Sequence, residues 1–234
     1  MKENIEALNN RFRDSGPEDL LAWFAGEYKG KIAFSTSLGA EDQVVTYMIA
    51  AMQIPVKIFT LDTGRLFQET YDLLDITQKK YGITIDVYFP EAAGVEEMVK
   101  SKGINLFYDS IENRQLCCHI RKIEPLKRAL QGMDVWITGL RKDQSVTRSD
   151  ASMIEWDATF EKIKINPLIN WDSDTMWKYL RAMNIPVNEL HSQGYPSIGC
   201  MPCTRAVQPG EDVRAGRWWW ELPQFKECGL HKKP

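Results

Sequence analysis

KIAFSTSLGAEDQVVTYMIAAMQIPVKIFTLD, residues 31–62, decides the fold. Its two ends, KIAFSTS (31–37) and VKIFTLD (56–62), are short apolar runs rich in strand-forming residues. Between them EDQVVTYMIAAMQ carries its apolar residues at helical spacing. Strand, helix and strand in succession make a right-handed βαβ unit, whose strands lie parallel in one sheet. Parallel strands need cover on both faces, which the crossover helices supply.

The pattern repeats downstream. FQETYDLLDITQKKYG reads as a helix closing on Gly82, TIDVYFP (84–90) as a third strand and GVEEMVKSKG as a shorter helix. IEPLKRALQG reads as a helix with Pro125 in its first turn, where proline is tolerated, and VWITGL (135–140) as a fourth strand. The expected fold is α/β: an open, mostly parallel twisted sheet with helices on both faces. Residues 1–29 read as two short outer helices, and SDTMWKYLRAMN (173–184) as a further helix capped by Ser173. From about residue 188 periodicity gives way to Gly, Pro and aromatic residues. The expected organisation is one domain over 1–204 and a mobile C-terminal tail over 205–234.

Composition is that of an ordinary globular protein, with 44% hydrophobic and 26% charged residues. Twenty-nine basic against 32 acidic residues give a net charge of −3, so no global basic field points to nucleic acid. No apolar run is long enough for a transmembrane helix. The N-terminus lacks the apolar core of a signal peptide, so a cytoplasmic protein is expected.

Three stretches fall where strands end. STSLGAED (35–42) joins the first strand to its helix; its hydroxyls and Gly39 suit a phosphate resting on backbone N–H groups. It lacks the G-K-[ST] ending of a Walker A loop and resembles the phosphate loop of ATP-pyrophosphatase-like folds, the adenine nucleotide alpha hydrolase-like class. LDTGRLFQET (61–70) places Asp62 at the same sheet edge, to meet a ribose hydroxyl, orient the loop or cap a helix. TGLRKDQSVTR (138–148) follows the fourth strand with Gly139 and three cations, Arg141, Lys142 and Arg148, an arrangement favouring an anion over a merely solvated loop.

The five cysteines divide into CC at 117 and 118, C-x-x-C at 200 and 203, and Cys228 near the end. Four thiolates make a closed site for zinc or an iron–sulfur cluster. Adjacent cysteines chelate one ion awkwardly, which disfavours an ordinary zinc ribbon. CMPC as a redox dithiol is disfavoured too, because it does not open a βαβ unit. Around Cys228 stand Arg205, Arg214, Arg217, His231, Lys232 and Lys233, and nearby cations turn a weak thiol nucleophile into a usable one. Trp218, Trp219 and Trp220 argue that this segment docks onto the body.

STSLGAED, LDTGRLFQET, CCHIRKIEPL, TGLRKDQSVTR, INPLINW, GCMPCTR, GRWWWE and KECGLH together resemble, in order, the assimilatory sulfonucleotide reductases, or PAPS reductase family. Among them the iron–sulfur adenosine 5′-phosphosulfate (APS) reductases are most similar, because both cysteine pairs are present. The resemblance implies that Ser35, Ser37, Gly39, Glu41, Asp42, Asp62 and Gly139 surround the nucleotide. It implies that Lys122, Arg148, Arg214, Arg217 and His231 surround the phosphosulfate. Cys117, Cys118, Cys200 and Cys203 would bind one [4Fe–4S] cluster per chain. Cys228 would attack the sulfate sulfur, expel AMP and carry a thiosulfonate, from which thioredoxin or a similar dithiol protein would release sulfite. No thioredoxin-like domain follows Pro234, so that reductant is expected to be separate; a homo-oligomer is compatible with the sequence. Alternatives are PAPS or dual specificity, an ATP-pyrophosphatase-type ligase or thiolase, which leaves Cys228 unexplained, and a non-enzymatic zinc-containing nucleotide-binding module.

Overall fold

A computed structural model describes residues 4–144, 148, 150–222 and 226. All four expected strands form: β1 (Ile32–Ser35), β2 (Lys57–Leu61), β3 (Asp86–Tyr88) and β4 (Val135–Ile137). Two more, β5 (Ile154–Asp157) and β6 (Lys162–Ile165), complete a sheet of order β3-β2-β1-β4-β6-β5. Every pair is parallel except β5 with β6. The sequence reading assigns no strand to this last hairpin, although IEWD and KIKI alternate apolar with charged residues as a half-buried strand does. In the fold the charges meet across the register Glu155↔Lys164, and Lys164 is only 4% exposed.

Helices α1 (Ile5–Arg11), α2 (Pro17–Glu27), α3 (Ala40–Met52) and α4 (Gln68–Tyr81) occupy the expected segments, and α4 closes on Gly82 at φ 62°. That left-handed cap suits glycine, which has no Cβ to clash. Next come α5 (Ala92–Lys102), α6 (Ile111–Cys118), α7 (Glu124–Ala129) and α8 (Ser173–Ala182). Ser173 is not the cap of α8: the Asp172 carboxylate accepts from Thr175 N at 2.7 Å, and Ser173 is the first helical residue. Pro125 does sit in the first turn of α7, but α7 continues α6 through a π-turn at His119–Ile123. Proline offers no N–H to the ladder, and the widened turn falls just before it. Cys117 and Cys118 therefore end one helical arm, and Lys122 lies in the wide turn.

The larger core gathers α1, α2, α3 and α8 on one side of the sheet; α7 seals the other with Ile123, Leu126, Ala129 and Leu130 against Phe59 and Trp136. No described helix is long and apolar enough to cross a membrane. Since β2 and β4 flank β1 on opposite sides, the chain order reverses at β1. Ligands of open α/β sheets bind in the crevice at that point, beyond the carboxyl ends of the strands.

Candidate functional site

A cavity of about 310 Å³ lies at that edge, walled by the loops after β1, β2 and β4 and by the segment 196–218. The first loop is held from within. Ser37 donates to the Asp42 carboxylate through both its backbone N–H and its hydroxyl, each at 2.6 Å. Leu38 N donates to Thr36 Oγ1 at 3.0 Å, and Leu38 sits in the left-handed region at φ 60°. A leucine held there is strained, and such strain gathers at functional loops. The Thr36 and Ser37 hydroxyls thus shape the loop. Gly39, Ala40 and Glu41, at the N-terminus of α3, line the cavity and give it the positive end of a helix dipole.

Gly139 explains its own identity. A Cβ there would lie 2.1 Å from Asp42 Oδ1 and 3.2 Å from Asp42 N, so β4 and α3 approach this closely only over glycine. Burial pushes the Asp42 carboxyl up to about 6, against the Ser37 hydrogen bonds that favour its ionised form. The folded state therefore holds the Asp42 proton to higher pH than the unfolded chain. The stability this contributes is present in acid and lost as the pH rises through about 6. Relative to an Asp42→Asn variant, which does not titrate, the wild type should lose on the order of 3 kcal/mol between about pH 4 and pH 6.5. Urea midpoints of both proteins across that range measure the difference, and parallel curves would contradict it.

Of the three cations after β4, the structure divides the roles. Arg141 lines the cavity but is clamped by Glu41 (3.0 and 2.9 Å), Asp143 (3.2 Å) and the Trp171 carbonyl (3.3 Å). It tethers the β4 loop to α3, and it also commits Glu41. Lys142 does not reach the wall, whereas Arg148 does, beside Gln144, to which it donates a hydrogen bond. Asp62 stands behind the wall: it accepts from Gly64 N at 2.7 Å and Tyr71 OH at 2.9 Å, and α4 is capped at Phe67. Of its candidate roles, orienting the loop is the one this geometry supports. The neighbouring Thr63 faces inward, its hydroxyl 3.3 Å from Cys200 Sγ and its carbonyl 2.6 Å from the Arg121 guanidinium.

Lys122, Arg148, Arg214 and Arg217 all line the cavity, with Ser35, Ser37, Gly39, Glu41, Asp42 and Gly139. Arg217 reaches Ser197 Oγ and the Ile198 carbonyl, both at 3.2 Å, and stacks over Trp218 at 4.8 Å. A Cβ on Gly199 would strike its guanidinium at 2.3 Å, so this glycine too marks a close approach. Arg214 donates to the Lys226 carbonyl at 3.1 Å, and Lys226 Nζ to the Ala215 carbonyl at 3.2 Å. Cys228 and His231 lie outside the described residues.

Lys122, Arg217 and Trp218 are shared with a second, smaller cavity lined by Cys117, Cys118, Cys200 and Cys203. None of these four cysteines is in a disulfide. Pro202 sits in the short turn Met201–Cys203, which Met201 N pins to the Arg65 carbonyl at 2.8 Å. Burial raises the Cys117 thiol and pushes that of Cys203 up to about 12. Five cations, Arg65, Arg114, Arg121, Lys122 and Arg217, share the cavity wall, and Arg114 and Arg121 hydrogen-bond Cys118 and Cys117. Among the described residues, no three Cys, His, Asp or Glu side chains converge closely enough for a single metal ion.

The segment after Thr204 is docked as far as it is described. Thr204 bridges Arg217, Trp218 N donates to the Cys203 carbonyl at 3.1 Å, and Trp218 is buried, although Trp219 stays 39% exposed. The sequence reading misses Thr63, Trp136 and His191 as wall residues. His191 had no spacing to mark it, and its Nδ1 contacts the Tyr195 carbonyl at 2.9 Å. Trp136 reads in sequence as one more apolar strand residue.

The phosphoadenosine phosphosulfate reductase domain model matches residues 31–206. An adenosine 5′-phosphosulfate reductase of Allochromatium vinosum is 51% identical over 221 residues, spanning 94% of this chain and 86% of the relative. A chloroplastic 5′-adenylylsulfate reductase of Arabidopsis thaliana is 45% identical; the match spans 98% of this chain but 52% of that longer protein. The crystal structure of a phosphoadenylyl-sulfate reductase from Candida auris, a phosphate complex, superposes with a TM-score of 0.75 at 31% identity, covering 88% of this chain and 98% of that one. An FMN adenylyltransferase of Candida glabrata shares the fold alone, at a TM-score of 0.57 and 17% identity. Matched from β1 through the C-x-x-C turn, the chain belongs to the phosphoadenosine phosphosulfate reductase domain family.

Proposed function

We propose that this protein reduces adenosine 5′-phosphosulfate to sulfite and AMP, with Cys228 as nucleophile and a dithiol protein of the thioredoxin type as reductant. The observation that carries the reading is the convergence of Lys122, Arg148, Arg214 and Arg217 on one cavity whose far side is the β1 loop. A thiolate approaching a sulfate ester meets like charge, and fixed cations at the reacting atoms lower that barrier. Lys226, two residues before Cys228, is tied to Arg214 and Ala215 at this cavity wall.

In the first step the Cys228 thiolate attacks the sulfate sulfur. The new S–S bond forms as the S–O bond to the phosphate breaks, and AMP leaves with that electron pair. The phosphate oxygens of the leaving AMP gain charge as this happens, and Lys122, Arg148, Arg214 and Arg217 are the cations on the wall to receive it. In the second step a thiolate of the reductant attacks Cys228 Sγ. Sulfite leaves, and the second thiol of the reductant closes the mixed disulfide to its own disulfide and frees Cys228. A nucleophile in the segment 205–234, apart from the loops after β1, β2 and β4, suits these two steps, since it must serve first a small anion and then a protein.

The four thiols of the second cavity fit a [4Fe–4S] cluster. The donor set is all sulfur, its members line one cavity without converging on a single-ion centre, and Thr63, Arg114 and Arg121 stand as hydrogen-bond partners to the sulfurs. When bound, the cluster would supply fixed charge and cross-link α6 to the C-x-x-C turn, with Lys122 and Arg217 between it and the nucleotide cavity.

The test is to mix the protein with APS in the absence of reductant and weigh the intact chain and its Cys228 peptide. One sulfonate on Cys228, removed by thioredoxin with release of sulfite, is the expected result. Modification by PAPS alone would move the substrate assignment and keep the chemistry; modification by neither would overturn the proposal.

A further inference from the structure

Across four strands, on the sheet face that α7 covers, Ala33 of β1 pairs with Trp136 of β4, Trp136 with Lys164 of β6, and Lys164 with Glu155 of β5. Lys164 is buried, with its Nζ 3.2 Å from Glu155, 3.9 Å from Asp157 and 5.2 Å from the Trp136 ring centroid. Phe160 meets the same indole edge-on at 5.3 Å. A buried ammonium on its face and an aromatic edge leave the indole one orientation. In that orientation Trp136 Nε1 donates to Ser35 Oγ at 2.7 Å.

Indole N–H is a donor only, so this contact occupies an acceptor lone pair of Ser35. The Ser35 hydrogen itself has no acceptor among the described residues, and Ser35 lines the nucleotide cavity at the end of β1. We propose that Trp136 is a positioning residue that fixes Ser35 as a hydrogen-bond donor into the cavity, directed at an acceptor oxygen or ring nitrogen of the nucleotide. The identity of the ligand rests on the sulfonucleotide reading above. The donor polarity of Ser35 rests on the indole contact. Without the indole N–H, the Ser35 rotor is free to turn its hydrogen away, and affinity falls although Ser35 itself is unchanged.

The test is a double-mutant cycle on the full chain carrying its cluster, with AMP as the probe in calorimetric titrations. Trp136→Phe and Ser35→Ala are each expected to weaken AMP binding by about three- to tenfold, the range for one neutral hydrogen bond. Because Trp136 acts through Ser35, the double variant should bind no more weakly than Ser35→Ala alone. KM for APS should rise by the same factor in Trp136→Phe, with kcat within about twofold of wild type. Additive losses in the cycle, or an unchanged affinity in Trp136→Phe, would overturn the assignment, since a merely structural tryptophan is indifferent to Ser35. If Trp136→Phe does not fold, benzothienylalanine at 136 keeps the ring volume and removes only the N–H, with the same outcomes expected. Failure of the wild type to bind AMP at all would overturn the sulfonucleotide reading itself, and the acceptor named here with it.

Discussion

Gly139→Ala is expected to weaken nucleotide binding by about ten- to a hundredfold while leaving the sheet intact. The new methyl would stand 2.1 Å from Asp42 Oδ1, a separation no Cβ tolerates, and 3.2 Å from the Asp42 backbone nitrogen. The backbone atom belongs to α3 and has nowhere to go, so the carboxylate must turn away. Turning it breaks two 2.6 Å hydrogen bonds from Ser37, which hold the β1 loop in its strained path through Leu38. Hydrogen bonds to a charged group contribute about 1.5–3 kcal/mol, which sets the expected loss. Gly26→Ala is the matched control: Gly26 lies inside α2 with open space where its Cβ would go, and helix propensity favours alanine by about 0.8–1.0 kcal/mol. AMP titration and thermal melts of both variants separate the outcomes. Wild-type affinity in Gly139→Ala would show that the Asp42 clamp does not shape the site.

The contrast between these two glycines also marks how far sequence reading reaches. Strand–helix alternation in 31–62 and its echo through 140 identify the parallel sheet, because short continuous apolar runs set between stretches of helical spacing are written in consecutive residues. Position at strand ends then places STSLGAED, LDTG and TGLRKDQ at one edge without any contact being known. What escapes is whatever depends on partners far apart in the chain. Arg141 reads as a free cation and is spent on Glu41, 100 residues away. Asp62 reads three ways in the sequence, as ribose contact, loop anchor or helix cap, and only its bonds to Gly64 and Tyr71 favour the loop anchor. The β5–β6 hairpin goes unassigned in the sequence, since its strands are four residues each and the Glu155–Lys164 pairing is made only in the fold. Trp136 carries no signal at all: its neighbours in the sheet, Ala33 and Lys164, come from strands 103 residues before and 28 after it. The cysteine pairs are the opposite case: CC and C-x-x-C stand out in the sequence, and only the fold brings the two pairs to one cavity.

Glu221→Gln is expected to cost about 3–5 kcal/mol and to loosen the segment that leads to Cys228. Arg114 is 1% exposed, and Glu221 holds it bidentately at 2.9 and 2.8 Å while its guanidinium lies 4.8 Å from the Trp218 ring centroid. The glutamine keeps the shape but removes the carboxylate countercharge that faces a buried guanidinium, and that is the costly way to break such a pair. Replacing both partners with apolar residues of similar volume, as in Arg114→Met with Glu221→Met, should recover much of the loss, because no buried charge is then left over. The consequence for function follows from what the pair joins. Arg114 rises from α6, which carries Cys117 and Cys118, and Glu221 lies three residues beyond Trp218, whose backbone is bonded to Cys203. One ion pair thus fastens the cysteine helix, the C-x-x-C turn and the base of the terminal segment to each other. Hydrogen exchange should accelerate in Glu221→Gln at the amides of Arg205, Arg217 and Trp218, which close this region onto Gly216, Arg214 and Cys203, while the amides of β1 and β4 keep their protection. Uniform acceleration across the sheet would mean that the pair stabilises the whole fold, and unchanged exchange at Trp218 would mean that it fastens nothing.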